Sequence, residues 1–180
     1  VALLGTTTSA ASAEPSATTR WFGDASSATG NSLSQNECDV NGDELNDLVV
    51  GAWFWDKAPN SNVGAAYVLF GDPEVSGGDL QTPGDVGAAR IDGPPEAGAT
   101  VAFSVGCLGD VDADGYDDVG VGYYGEEKVY VVLGAEDFGA VDLGLLGERG
   151  YEVRGSTDPA YDSNVGFSMS PVGDYDDDGI

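Results

Sequence analysis

Gly109-Asp110-Val111-Asp112-Ala113-Asp114-Gly115-Tyr116-Asp117-Asp118, followed by Val119-Gly120-Val121-Gly122, decides how the rest of the chain is read. Counting from Asp110, acids stand at positions 1, 3, 5 and 9 and glycine at position 6. Alternate residues of a tight loop can turn their carboxylates toward one point, and the glycine permits the sharp bend. Oxygen ligands without His or Cys suit a hard cation, and Ca²⁺ before a transition metal. The plain alternative is an acidic surface turn, but carboxylates packed so closely repel one another unless something neutralises them.

The loop recurs. Asp39-Val40-Asn41-Gly42-Asp43-Glu44-Leu45-Asn46-Asp47 precedes it by 71 residues, and Asp174-Tyr175-Asp176-Asp177-Asp178-Gly179-Ile180 follows it by 64. Upstream of each lies a short Gly/Ala-x-Ser segment: Gly30-Asn31-Ser32, Ala102-Phe103-Ser104 and Gly166-Phe167-Ser168. Downstream of the first two come an apolar strand, a variable loop and a second strand with Tyr-Val near its middle. These are Leu48–Trp53 with Ala65–Phe70, and Asp118–Tyr123 with Lys128–Leu133. The second strand of each pair runs into a glycine, Gly71 or Gly134. A further short strand closes each repeat, at Ala89-Arg90-Ile91 and Tyr151-Glu152-Val153-Arg154. The expectation is an all-β chain with about four strands in each repeat of ~65–70 residues, the size of a large propeller blade. An EF-hand is excluded, because position 12 is Val50 or Val121 inside a strand and alternating glycines would ruin the helix that must follow.

These residues resemble FG-GAP repeats, the blades of the integrin α-subunit β-propeller and of many secreted bacterial proteins. The likeness rests on a Phe-Gly-like opening (Val165-Gly166-Phe167-Ser168), the Gly-Asp-x-Asp-x-Asp-Gly-x-x-Asp loop, and a Gly-Ala-Pro-like turn at Gly51-Ala52-Trp53 and Gly122-Tyr123-Tyr124. It covers residues 30–180. The resemblance implies β-propeller blades of four antiparallel strands, about two and a half of them, with repeats near 29–98, 99–164 and a shortened 165–180. It implies Ca²⁺ ligands Asp39, Asn41, Asp43 and Asp47 with the Leu45 carbonyl in the first loop. In the second they are Asp110, Asp112, Asp114 and Asp118 with the Tyr116 carbonyl, and the third loop offers Asp174, Asp176 and Asp178. The chain departs from the pattern at Glu44, which stands where the loop glycine belongs, at Cys38 before Asp39, and at both imperfect Gly-Ala-Pro turns. The first loop is therefore expected to bind more weakly or to need a different local backbone. Because two and a half blades cannot close a ring, the sequence is expected to be a fragment of a longer chain, with assembly of several copies as the alternative.

Composition limits the function. Thirty-two acids against 6 Lys plus Arg give a formal charge of −26 over 180 residues, which repels nucleic acid and anionic membrane surfaces. There is no histidine, which removes His-dependent triads, His general bases and His-ligated zinc. No apolar run is long enough for a membrane span. Cys38 and Cys107 have no CxxC spacing and are either one disulfide or two buried thiols. Residues 1–20 read as a secretory signal remnant (Val1-Ala2-Leu3-Leu4-Gly5 leading to Ala11-Ser12-Ala13), as a strand, or as a linker.

The expected function is an extracellular or cell-surface adhesion module, not an enzyme, in which Ca²⁺ is structural and a propeller face binds a protein or glycan. Trp53, Phe54, Trp55, Tyr123 and Tyr124 are candidates for that face, with about half of them expected to pack between blades instead. A subunit of an extracellular polymer, binding copies of itself, is the first alternative. Part of a secreted hydrolase or lyase is the second, with Asp137, Glu148 or Asp162 as acid or base.

Overall fold

The computed structural model describes residues 20–170 apart from 36, 61, 73, 75–76, 96–99, 157, 159 and 161–162. The third acidic loop, including Asp174, Asp176 and Asp178, lies outside the described residues, as do Asp162 and residues 1–19. The fold is all-β, and no α-helix forms among the described residues.

Ten strands are present among the described residues. They are β1 (Arg20–Phe22), β2 (Leu48–Ala52), β3 (Ala65–Leu69), β4 (Gly77–Asp79), β5 (Ala88–Asp92), β6 (Val101–Gly109), β7 (Asp118–Tyr123), β8 (Lys128–Val132), β9 (Val141–Asp142) and β10 (Gly150–Arg154). Strands β6, β7, β8 and β10 form an antiparallel sheet with neighbours in that order. The preceding repeat builds the same arrangement from β2, β3 and β5. Its first strand is rudimentary: Gly30, Ser32 and Ser34 trade backbone hydrogen bonds with Gly51 and Val49, and Leu33 bridges Val50. The strands expected from the sequence thus stand within a residue or two of the observed ones. Neither sheet closes into a barrel, and the described residues form no closed propeller.

Two short parallel pairings are additions that the sequence did not reveal. β9 lies along the outer edge of β5, and β4 lies along β1. Each is only two or three residues long, too short for any hydrophobic period to show.

Side-chain alternation explains the layering. On β3, Ala66 and Val68 join a core shared with Val101, Val105, Val119, Val121 and Val132 of the second sheet, while Ala65, Tyr67 and Leu69 face a separate cluster with Trp21, Trp55 and Leu80. The first sheet is therefore buried on both faces, which is why β3 reads as an unbroken apolar run rather than an alternating one. β10, by contrast, is largely exposed.

The two repeats are tied by recurring contacts. Ser32 Oγ donates to the Ala102 carbonyl at 3.2 Å, and Ser104 Oγ donates to the Gly166 carbonyl at 2.8 Å, so the serine of each of the first two Gly/Ala-x-Ser segments holds the start of the next. A disulfide joins Cys38 to Cys107, which resolves the two readings of the cysteines and links adjacent sheets.

Candidate metal centre

Both described acidic loops lie at the same end of their sheets and touch. Asp39 N–H donates to Asp117 Oδ2 at 2.8 Å, Asp117 N–H returns a bond to the Asp39 carbonyl at 2.9 Å, and Ala135 N–H reaches the Val40 carbonyl at 3.0 Å. Asp117 was not among the expected site residues. Its place beside Asp118 is the only signal the sequence offers.

Within each loop the first aspartate organises the bend. Asp39 accepts from the N–H groups of Gly42, Asp43 and Glu44, and Asp110 accepts from those of Asp114 and Gly115. Asp43 and Asp114 each accept the N–H two residues on, from Leu45 at 2.9 Å and Tyr116 at 3.0 Å. Positions 4 and 6 take positive φ in both loops: Gly42 (75°) and Glu44 (67°), then Ala113 (61°) and Gly115 (98°). The expectation of a different backbone in the first loop is thus corrected. Glu44 adopts the left-handed conformation that Gly115 adopts more cheaply, because the Asp39 hydrogen bonds fix the turn around it.

The aspartate at position 9 has a separate task. Asp47 accepts from Val40 N–H at 2.9 Å and Gly71 N–H at 2.8 Å. Asp118 accepts from Val111 N–H and Gly134 N–H, both at 2.8 Å. One carboxylate therefore fastens the loop's beginning to the end of the third strand of its sheet. The glycine there is required by space: a Cβ on Gly134 would stand 2.5 Å from the Asp117 carbonyl oxygen. Burial, the largest cause, pushes the carboxyls of Asp47 and Asp118 above the ordinary carboxylate value, and the neighbouring loop carboxylates add to it against the backbone N–H bonds. Asp112 is raised as well, by lost hydration first and then by Asp114 and Asp110.

Carboxylate oxygens of Asp110, Asp112 and Asp118 lie within 4.8 Å of one another. Asp114 is not part of that triplet, and Asp39, Asp43 and Asp47 form no equivalent one among the described residues. In the first loop Asn41 supplies an amide instead, its Nδ2 donating to Asp43 Oδ2 at 3.1 Å. The five ion pairs of the described residues all lie elsewhere, on Asp92, Asp142 and Glu152. The triplet thus gathers negative charge with no lysine or arginine to offset it. An all-oxygen donor set of this kind fits a hard divalent cation and offers nothing to a thiophilic metal. Cys38 and Cys107 also stand near Asp117, but their sulfurs are committed to the disulfide.

The aromatic candidates divide. Trp55 and Tyr123 are buried, Trp55 beneath the Arg90 guanidinium at 4.3 Å. Trp53, Phe54 and Tyr124 remain partly open and join Phe103 and Phe167 in a continuous row, with neighbouring ring centroids 4.1–5.7 Å apart. Phe103 and Phe167, the middle residues of two Gly/Ala-x-Ser segments, were missed as surface candidates. The row borders a groove of about 540 Å³ where the three segments converge, lined by Asn31, Ser32, Phe103, Ser104, Phe167 and Ser168 among others. Asp137, on a turn, and Glu148, in a single 3-10 turn of helix at Gly147–Arg149, are exposed and do not line it.

No protein-family model matches the chain, and no curated protein matches it. No helix among the described residues is long and apolar enough to cross a membrane.

Proposed function

We propose that the chain is a calcium-stabilised, extracellular β-propeller module of the FG-GAP kind that binds a protein or glycan through its aromatic-rimmed groove. The observation that carries the metal part is the convergence of Asp110, Asp112 and Asp118 without a cationic side chain to neutralise them. Two successive antiparallel meanders, β2-β3-β5 beside a rudimentary first strand and then β6-β7-β8-β10, share one core and are joined by equivalent serine–carbonyl bonds, which supports the blade reading. In this reading the Tyr116 and Leu45 carbonyls complete the ligand sets, and the ion holds a connection already fastened by Asp47 or Asp118. Affinities of roughly 10⁻⁴–10⁻³ M, as in extracellular modules, suit a structural ion outside the cell. The disulfide is compatible with the same compartment.

The ligand-binding part rests on Trp53, Phe54, Phe103, Tyr124 and Phe167, whose faces offer apolar stacking at a polar rim. It is tested by presenting the full chain, in calcium, to arrays of glycans and extracellular proteins alongside a Phe167→Ser variant. Retention by one ligand class that is lost in the variant is expected. Blank arrays, or retention that Phe167→Ser leaves unchanged, contradict this part of the reading.

A further inference from the structure

The first acidic loop carries one reactive pair that the proposed function does not use. Of the seven asparagines of the chain, Asn41 alone is followed by glycine. A main-chain nitrogen can attack the side-chain amide of a preceding asparagine and close a five-membered ring, and a glycine nitrogen, with no Cβ beside it, is the least hindered. The fold demands that glycine. Gly42 takes a φ of 75°, and a Cβ there would stand 2.7 Å from the Tyr116 ring of the second loop. No such demand falls on the asparagine, since Asp112 holds the equivalent place in the second loop.

The groups around the pair are arranged for ring closure. Asn41 Oδ1 accepts the Asp43 N–H at 3.1 Å, and the hydrogen-bonded ring so formed contains both Asn41 Cγ and the Gly42 nitrogen. The same bond aims a donor at the oxygen on which negative charge develops during attack. Gly42 N–H donates to Asp39 Oδ1 at 2.7 Å, so a carboxylate already holds the proton that must leave. Asn41 Nδ2, the departing nitrogen, donates to Asp43 Oδ2 at 3.1 Å, where an ammonium is favoured over a neutral amine. Asn41 is half-buried and Gly42 exposed, which leaves water within reach.

We propose that Asn41 is a self-modification site: its side-chain amide cyclises onto the Gly42 nitrogen, expels ammonia, and is hydrolysed to a carboxylate at the position that Asp112 holds in the second loop. As the Gly42 nitrogen bonds to Cγ, its proton passes to Asp39 and on through solvent to Nδ2, whose bond to Cγ breaks. Water then opens the ring at either carbonyl and returns a proton to the Gly42 nitrogen. The product is aspartate, or its isomer with the main chain routed through Cγ. One water is taken up, one ammonia is released, and one negative charge is gained. In the aspartate product Asp39, residue 41 and Asp47 repeat the Asp110, Asp112 and Asp118 triplet, between loops whose fastening hydrogen bonds already match. The modification stands whether or not the loops hold calcium, while its effect on the first loop rests on the calcium reading.

The test holds the full chain in EDTA and mildly alkaline heavy-oxygen water for several weeks and maps its peptides by mass. An Asn41→Gln variant and the chain unfolded in urea are run beside it. Heavy oxygen should enter at residue 41 at least tenfold faster than at Asn46 of the same loop, and no more slowly in the folded chain than in urea. It should be lost in Asn41→Gln, whose longer side chain must close a larger ring. In calorimetric titrations the first loop of Asn41→Asp should bind calcium at least tenfold more tightly than that of Asn41→Gln. No heavy oxygen at residue 41, a rate like that of Asn46, or a folded rate below the urea rate overturns the modification. Equal calcium binding by the two variants, with the second loop responding, overturns the effect on the first loop. Absence of calcium binding in every form overturns the calcium reading and that effect with it, and the mass result then decides the modification alone.

Discussion

Replacing Asp118 by asparagine separates the carboxylate that fastens the loop from those that only surround a cation. Asp118 is fully buried, and its two oxygens accept N–H bonds from Val111 and Gly134, each 2.8 Å long. Asparagine keeps the shape but turns one acceptor into a donor, so one backbone N–H faces an NH₂ group. Losing a hydrogen bond to a charged group costs about 1.5–3 kcal/mol, and the orphaned N–H adds to that. Removing a carboxylate that burial already disfavours returns part of it, leaving a net loss of about 2–3 kcal/mol. For a domain of this size that is a fall in melting temperature of roughly 5–10 °C. Asp112→Asn is the control, because Asn41 already fills the equivalent place in the first loop and its Oδ1 accepts Asp43 N–H at 3.1 Å. It should change metal-free stability by no more than about 0.5 kcal/mol. Both variants should lose most of the response of the second loop to calcium, since both remove a member of the carboxylate triplet. The assay is thermal unfolding by circular dichroism in EDTA and again in calcium. Equal melting losses for the two variants in EDTA refute the clip.

Three further perturbations have signed outcomes. Removing the disulfide by Cys38→Ser with Cys107→Ser opens a connection between residues 69 apart, and loop-closure entropy puts the loss at about 4 kcal/mol, read from denaturant melts of the oxidised and variant chains. Gly122→Ala places a Cβ 2.4 Å from the Gly166 carbonyl and 2.3 Å from Ser104 Oγ, wedging the junction between repeats. It should destabilise by about 1–3 kcal/mol, while Gly139→Ala, with nothing within 4 Å, should have little effect in the same melts. In the metal-free fold, protonation of Asp47 and Asp118 should stabilise, against the opposite contribution of Glu152, whose carboxyl is lowered. Asp47 and Asp118 bind protons more tightly folded than unfolded, so their contribution to stability falls as pH rises from about 3.8 through their folded values and then levels off. Calcium binds the ionised form and should reverse that slope, which melting against pH in EDTA and in calcium will show.

Much of this fold is legible in the chain because its strands are local and its repeat is long. Leu48–Ala52, Ala65–Leu69, Asp118–Tyr123 and Lys128–Val132 are short apolar runs bounded by turn residues, and antiparallel pairing of neighbours follows from the short connections. The acidic loops announce themselves by spacing. What stays hidden depends on contacts between distant residues. Gly77-Gly78-Asp79 and Val141-Asp142 carry no strand pattern and become strands only because the edges of β1 and β5 lie beside them. The pairing of Cys38 with Cys107 could not be read from their spacing, since they stand at unequal distances before their loops. Glu44 shows a different limit. A sequence reading expects glycine at a positive φ, but three N–H bonds to Asp39 hold the loop in shape and the residue adapts to it. Phe103 and Phe167 look like core aromatics beside small residues, and only the junction between repeats brings them to the surface row.

In the proposed function calcium is part of the folded state. The direct measurement is the melting temperature of the full chain in EDTA and across a calcium titration, with magnesium at the same ionic strength as comparison. Free calcium at a hundred times the dissociation constant contributes about 2.7 kcal/mol for each site filled. The expected result is therefore a saturable rise of roughly 5–10 °C per site for a domain of this size. A midpoint that is the same in EDTA and in saturating calcium contradicts it.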